Sequence, residues 1–187
     1  MKKILLLGCL FIISIFIVSC KASNIANDEI MTININNLIE HDVSGMGTDY
    51  EITNIEKGKY NISVYLKEFE KGKFVKEQNL YNTTLNFDKK INKYNVSVYQ
   101  EDTKIKVLTG ESDLTETILE FFERNSSGIA LFQLETEKKI TMDKEFPIVG
   151  YIIGNEVKKI ESTNIDEIFN HKSDGEILIY LKINKVK

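Results

Sequence analysis

Few of the 187 residues are of the types that carry covalent or metal chemistry: there are two cysteines, two histidines and no tryptophan. His41 and His171 stand 130 positions apart, and neither has a metal-ligand spacing such as H-x-x-x-H. His41-Asp42 has the order of a base and its orienting carboxylate, but no nucleophile is defined beside it, so the pair is read as a solvated loop. Ser44-Gly45-Met46-Gly47 has neither the G-x-S-x-G order of a nucleophile elbow nor the G-K-[ST] ending of a phosphate loop. It reads as a flexible lead into a strand at Tyr50. Asp42, Asp49 and Glu51 offer carboxylates to calcium, yet no D-x-[DN]-x-[DN]-G run surrounds them. Tyr50, Tyr60, Tyr65, Tyr81, Tyr94, Tyr99, Tyr151 and Tyr180 could stack on sugar rings, although tyrosine is also simply a good strand residue. These residues therefore assign no catalytic group, no metal and no cofactor, and the expectation is a protein that is not an enzyme.

The thiols remain. Cys9 lies inside a run from Ile4 to Ser19 of 16 uncharged, mostly apolar residues, preceded by Lys2 and Lys3, and Cys20 closes that run. Positive start, apolar stretch and small-residue ending are the order of an export signal. As a helix the run spans roughly 24 Å, short of the ~30 Å hydrocarbon core that a permanent membrane helix must cross. An ordinary secretory cleavage site has no chemical need for a thiol, whereas attachment of a lipid does.

The segment Ile17-Val18-Ser19-Cys20 resembles the lipobox that ends the signal of bacterial lipoproteins, with Ile17 where leucine is commoner. The resemblance covers the first 20 residues. It implies that the Cys20 thiol receives a diacylglyceryl group, that a signal peptidase cuts between Ser19 and Cys20, and that acyl chains such as palmitate hold the chain at the membrane. One myristoyl chain binds only marginally, at ~0.8 kcal/mol per buried methylene, whereas a diacyl anchor is stable. The domain that follows is similar to small lipoproteins of low-GC bacteria in Ser44-Gly45-Met46-Gly47, the Gly72-centred turn and Gly128-Ile129-Ala130-Leu131-Phe132. No activity carries over from that group.

Removing residues 1 to 19 leaves 168 residues with 22 basic and 28 acidic side chains, a formal charge of −6. That balance argues against nucleic acid and against a general anionic-membrane surface. With Cys9 discarded and Cys20 acylated, the mature domain has no thiol for a disulfide or a metal, so its stability must come from its core. A chain of this size can bury about two-thirds of its unfolded surface. Arg124 is the single arginine and alanine occurs three times after Ser19, a composition typical of AT-rich coding sequence. It has no bearing on function, and neither do the N-x-[ST] tripeptides at Asn61, Asn82, Asn95 and Asn125.

Lys21 to Ile30 is polar and aperiodic, a tether that reaches roughly 33 Å when extended. Beyond it, apolar residues alternate at Met31/Ile33/Ile35, Tyr60/Ile62/Val64/Leu66, Tyr94/Val96/Val98 and Ile105/Val107, the period of half-buried strands. Glu56-Lys57-Gly58-Lys59, Glu70-Lys71-Gly72-Lys73, Glu101-Asp102-Thr103-Lys104 and Gly154-Asn155-Glu156 carry hairpin chemistry, which favours antiparallel pairing. Gly128 to Leu134, Phe146 to Ile153 and Glu176 to Ile183 are more continuously apolar, as central strands covered on both faces would be. Lys59-Tyr60-Asn61-Ile62-Ser63-Val64-Tyr65 returns 34 residues later as Lys93-Tyr94-Asn95-Val96-Ser97-Val98-Tyr99, either as common strand composition or as two equivalent strands in related hairpins. Ser112 to Asn125 fits a short helix behind a Ser112 cap, or a strand, since Thr115, Thr117 and Ile118 are β-branched. Asn164 to Phe169 suggests a helical turn.

The expected organisation is a signal peptide (1–19), a lipidated cysteine with its tether (20–30) and one antiparallel β-sandwich (31–187), immunoglobulin-like or related. The expected role is a non-catalytic binding or interaction module, lipid-anchored through Cys20 on the extracytoplasmic face of the cell membrane, with an envelope protein as its partner and no nucleic acid. The alternatives are a small solute-binding or transport accessory lipoprotein, an envelope enzyme, and an inhibitor or immunity protein.

Overall fold

A computed structural model describes residues 30–35, 45–110, 113–122, 128–154, 164–170 and 173–186. The strands in chain order are β1 (Ile30–Ile35), β2 (Met46–Thr53), β3 (Gly58–Glu70), β4 (Lys73–Phe87), β5 (Tyr94–Glu101), β6 (Lys104–Thr109), β7 (Asp113–Ile118), β8 (Ile129–Gln133), β9 (Lys138–Thr141), β10 (Glu145–Ile153) and β11 (Gly175–Lys185). They form a six-stranded sheet in the order β7-β6-β5-β2-β1-β9 and a five-stranded sheet in the order β4-β3-β11-β10-β8, with every strand pair antiparallel. A 3-10 turn over Ile165–Asn170 is the one helical element among the described residues. The fold is thus a mainly antiparallel β-sandwich, as the alternating pattern requires.

The sandwich forms because period-two alternation puts one apolar face on each strand, and two such faces must bury each other. On β3, Tyr60, Ile62, Val64 and Leu66 point inward; on β5, Tyr94, Val96 and Val98 do the same from the opposite sheet. The repeated heptapeptide therefore supplies two equivalent strands, one per sheet, each opening a hairpin. At the end where both repeats begin, Phe87 lies between Tyr60 and Tyr94, with ring centroids 5.9 and 6.2 Å away. Three polar contacts also cross the core: Tyr151 donates its hydroxyl to the Met46 carbonyl at 3.0 Å, Tyr50 to the Ile148 carbonyl, and Thr48 to Gln133. Burial raises the pKa of the Tyr50 and Tyr151 hydroxyls well above the usual tyrosine value, so both stay protonated donors.

Two expectations are refined. Glu56 to Lys59 is not a hairpin: the chain passes there from β2 in one sheet to β3 in the other. Buried Ile55 fixes the crossing by exchanging both backbone hydrogen bonds with Ile91. Glu70 to Lys73 and Glu101 to Lys104 do close the β3–β4 and β5–β6 hairpins. Lys71 and Gly72 turn with φ of 48° and 74°, and Asp102 turns with 52°. β8, expected as a central strand, lies instead at an edge of its sheet. Its outward Phe132 is fully buried because the 3-10 turn packs over that face, setting Ile165 and Ile168 against Gly150 and Leu178. Of the ambiguous stretch 112–125, Asp113–Ile118 is strand β7, where β-branched threonines face inward; Ser112 and 123–127 lie outside the described residues.

Sheet edges are guarded. β9 and β8 have only four and five residues. β4 has 15, but the extra residues Val75 and Leu80 bulge out of its ladder with β3, and Lys73 and Lys76 add charge to the edge. Since no thiol staples the domain, a core truncation falls wholly on packing. Phe132→Ala, which also unseats the 3-10 turn, is expected to cost about 3–5 kcal/mol, readable as a lowered midpoint in urea.

Candidate functional site

Cys20, Ser19, Val18 and Ile17, as well as His41, Asp42, Ser44 and His171, lie outside the described residues. Gly45, Met46 and Gly47 are described, and they answer a structural need. A Cβ on Gly47 would stand 2.2 Å from the Val98 carbonyl oxygen and 2.5 Å from the Tyr99 ring, and one on Gly45 would stand 2.3 Å from the Gln100 carbonyl oxygen. These glycines let β2 run hard against β5 with the Tyr99 ring laid across it. Asp49, the carboxylate considered for calcium, accepts the Tyr99 hydroxyl at 2.5 Å, and Glu51 pairs with Lys93 at 2.8 Å. Among the described residues no group of three or more His, Cys, Asp or Glu stands close enough to hold a metal ion.

The eight tyrosines do not form one platform. Tyr50, Tyr60, Tyr81, Tyr94 and Tyr151 belong to the core, while Tyr99 and the Tyr65–Tyr180 pair lie on the outer faces of different sheets. Strand register dictates this, because neighbouring positions point to opposite faces.

Each outer face instead carries a ladder of paired charges. On the six-stranded sheet, Lys106 lies between Glu101 and Glu116, and Lys104 reaches the same Glu116 at 3.3 Å, so Lys106 is held above and Glu116 below their ordinary pKa values. On the five-stranded sheet, Tyr65 and Tyr180 stack with centroids 5.6 Å apart, and the Lys67 ammonium lies 4.8 Å from the Tyr180 ring centre and 2.6 Å from Glu145. Hydrogen bonding to Glu145 raises the pKa of Lys67. Lys67 first, and then the Tyr65 hydroxyl, lower that of Glu145, while burial pushes the Tyr65 hydroxyl up. Near the β3–β4 turn, Glu68 is buried facing inward with Lys76 at 3.2 Å, and buried Glu176 accepts from Ser173 and from the Gly72 backbone N–H. Lys67 with Glu145, Lys76 with Glu68 and Lys106 with its two glutamates neutralise each other, while Glu176 is held by hydrogen bonds alone.

Charge does separate along the long axis of the sandwich. Ile30, Thr53, Tyr94, Thr141 and Lys185 share one end, as the β1–β2, β2–β5, β1–β9 and β3–β11 registers require, and the Lys71-Gly72 turn marks the other. The first end exposes Lys57, Lys59, Lys89, Lys90, Lys93, Lys144 and Lys185. No motif reveals this cluster, because its members come from four segments far apart in sequence.

Comparison with known protein families, curated proteins and solved structures finds no match to the chain. The functional reading therefore rests on its own residues.

Two outcomes follow. Gly47→Ala forces the added methyl into backbone that cannot retreat, so it should lower the thermal midpoint far more than Lys73→Ala, an exposed change expected within about 0.5 kcal/mol of neutral. Because the folded pKa of Glu145 is depressed, its contribution is present above the ordinary glutamate value of about 4.3 and is lost as pH falls through the folded value. Glu145→Gln should therefore flatten the acid limb of a stability-against-pH profile, modestly because the pair is solvated, and leave the neutral region little changed.

Proposed function

We propose that this chain is a membrane-anchored extracytoplasmic lipoprotein whose β-sandwich acts without catalysis as a binding or interaction module. The observation that carries the anchor is Ile17-Val18-Ser19-Cys20 at the end of an apolar run too short to span a bilayer. The first strand begins at Ile30, so nine residues, Lys21 to Glu29, lie between the cysteine and the sandwich. Among the described residues no helix is long and apolar enough to cross a membrane, so none offers a competing means of attachment through a helix. The module reading is supported by outer faces built of mutually paired charges, Lys67 with Glu145 on one sheet and Lys106 with Glu101 and Glu116 on the other.

Metabolic labelling with a clickable fatty acid tests the anchor. The wild-type chain should take the label and lose residues 1–19, whereas Cys20→Ser should remain unlabelled and uncut, visible by mass. Labelling of the serine variant, or its absence from the wild type, would sink the anchor. Cross-linking the anchored chain on intact membranes tests the second half, and recovery of the chain alone counts against an interaction module.

A further inference from the structure

The lysine cluster at the Ile30 end stands out against an acidic domain. Its seven lysines share that end with Glu51, Glu56, Asp88 and Asp143, whereas the other described side chains comprise 9 basic and 15 acidic residues. Lys90 pairs with Glu56 at 2.7 Å and Lys93 with Glu51 at 2.8 Å, while Lys57, Lys59, Lys89 and Lys144 make no ion pair among the described residues. The loops that carry them are tied together. Ile55 and Ile91 exchange backbone hydrogen bonds, Val186 donates to the Lys59 carbonyl at 2.7 Å, and Asp143 donates to the Ile183 carbonyl at 3.0 Å. The Lys185 ammonium stands 5.7 Å from the Tyr60 ring centre. This end is therefore a braced basic surface.

We infer that this end is a docking surface for a bilayer bearing anionic phosphate headgroups, lying against the membrane to which Cys20 ties the chain. Two observations choose that occupant. The chain enters the sandwich at this end, and the ten residues from Lys21 to Ile30 reach about 33 Å at most, so a lipid on Cys20 keeps this end near the headgroups. The sign of the charge also fits: juxtamembrane lysines are attracted to an anionic leaflet within a Debye length of roughly 8–10 Å. The excess of carboxylates elsewhere repels the same leaflet, so the charge separation sets orientation as well as affinity. β3 carries its hairpin turn about 40 Å away from the lysines, with Phe74 and Val75 exposed beside it, and this orientation points that turn toward the exterior. The inference rests on the anchor for proximity but makes its own electrostatic prediction.

The test uses the full chain, processed in bacterial membranes, extracted and reconstituted into vesicles of phosphatidylcholine with or without phosphatidylglycerol. A fluorophore on Asn92→Cys reports the basic end, one on Lys73→Cys reports the far turn, and headgroup acceptors report proximity. Incorporation into the neutral vesicles reads the anchor alone. Docking predicts stronger energy transfer from position 92 than from 73. It also predicts that phosphatidylglycerol increases the transfer from 92. High salt should abolish that gain, as should a variant with Lys57, Lys59, Lys89 and Lys144 all changed to glutamine. An unchanged thermal midpoint shows that this variant is folded, its four positions being exposed. Equal transfer on both lipids, an unaltered gain in the glutamine variant, or closer approach of position 73 overturns the inference. If no lipid-dependent incorporation occurs, the anchor fails by itself. Salt-sensitive sedimentation with anionic vesicles, lost in the glutamine variant, then still supports the docking surface, and sedimentation equal to the variant's overturns it.

Discussion

Tyr60, Ile62 and Val64 of β3 and Tyr94, Val96 and Val98 of β5 reach into one core from opposite sheets, and the remaining strands arrange themselves around that meeting. A strand can present such a face only through strict alternation, so its other face is committed at the same time. Asn61, Ser63 and Tyr65 are thereby turned outward on one sheet, and Asn95, Ser97 and Tyr99 on the other. The outer ladders of charge, including Lys67–Glu145 and the Lys106 network, occupy positions that the core leaves over. Burial of an isoleucine or valine contributes roughly 1.5–3 kcal/mol, and exposed ion pairs contribute about 1 kcal/mol or less. The core therefore decides the fold, and the surface decides what the fold can meet.

Where the sandwich departs from simple alternation, a local constraint explains it. Gly47 is required because β2 and the Tyr99 ring meet too closely for a Cβ, and Gly150 because the 3-10 turn seats Ile165 and Ile168 at that point. Gly47, part of a flexible lead in the sequence, proves to be a site of close approach, as does Gly150 within its apolar run. The tyrosine hydroxyls buried between the sheets are likewise tethered to carbonyls, which fixes the relation of the two sheets more specifically than apolar contact does.

The proposed anchor and the basic end give the molecule a polarity. A lipid supplies most of the membrane affinity and is indifferent to orientation, while clustered lysines add less energy but select one end. In a domain this acidic, a modest local excess of lysine is enough to give the long axis a sense. The opposite end, with its braced Lys71-Gly72 turn, is then the part most available to the exterior.

Sequence alone marked the alternating strands β1, β3, β5 and β6 with their inward faces, and the β3–β4 and β5–β6 hairpins, because alternation and turn chemistry are local and leave a mark within a few residues. It also carries the contiguous segment Ile17-Val18-Ser19-Cys20 on which the proposed anchor rests. Tertiary structure decided which strands are neighbours, that β8 is an edge strand covered by a turn, and that Glu56 to Lys59 crosses between sheets. It also decided that lysines from four separate segments share one end. Pairing and charge clustering join residues distant in sequence, and a formal charge of −4 averages over the separation that matters. The acidic total, read alone, argued against an anionic surface; the fold gathers the exceptions at the end where β1 begins.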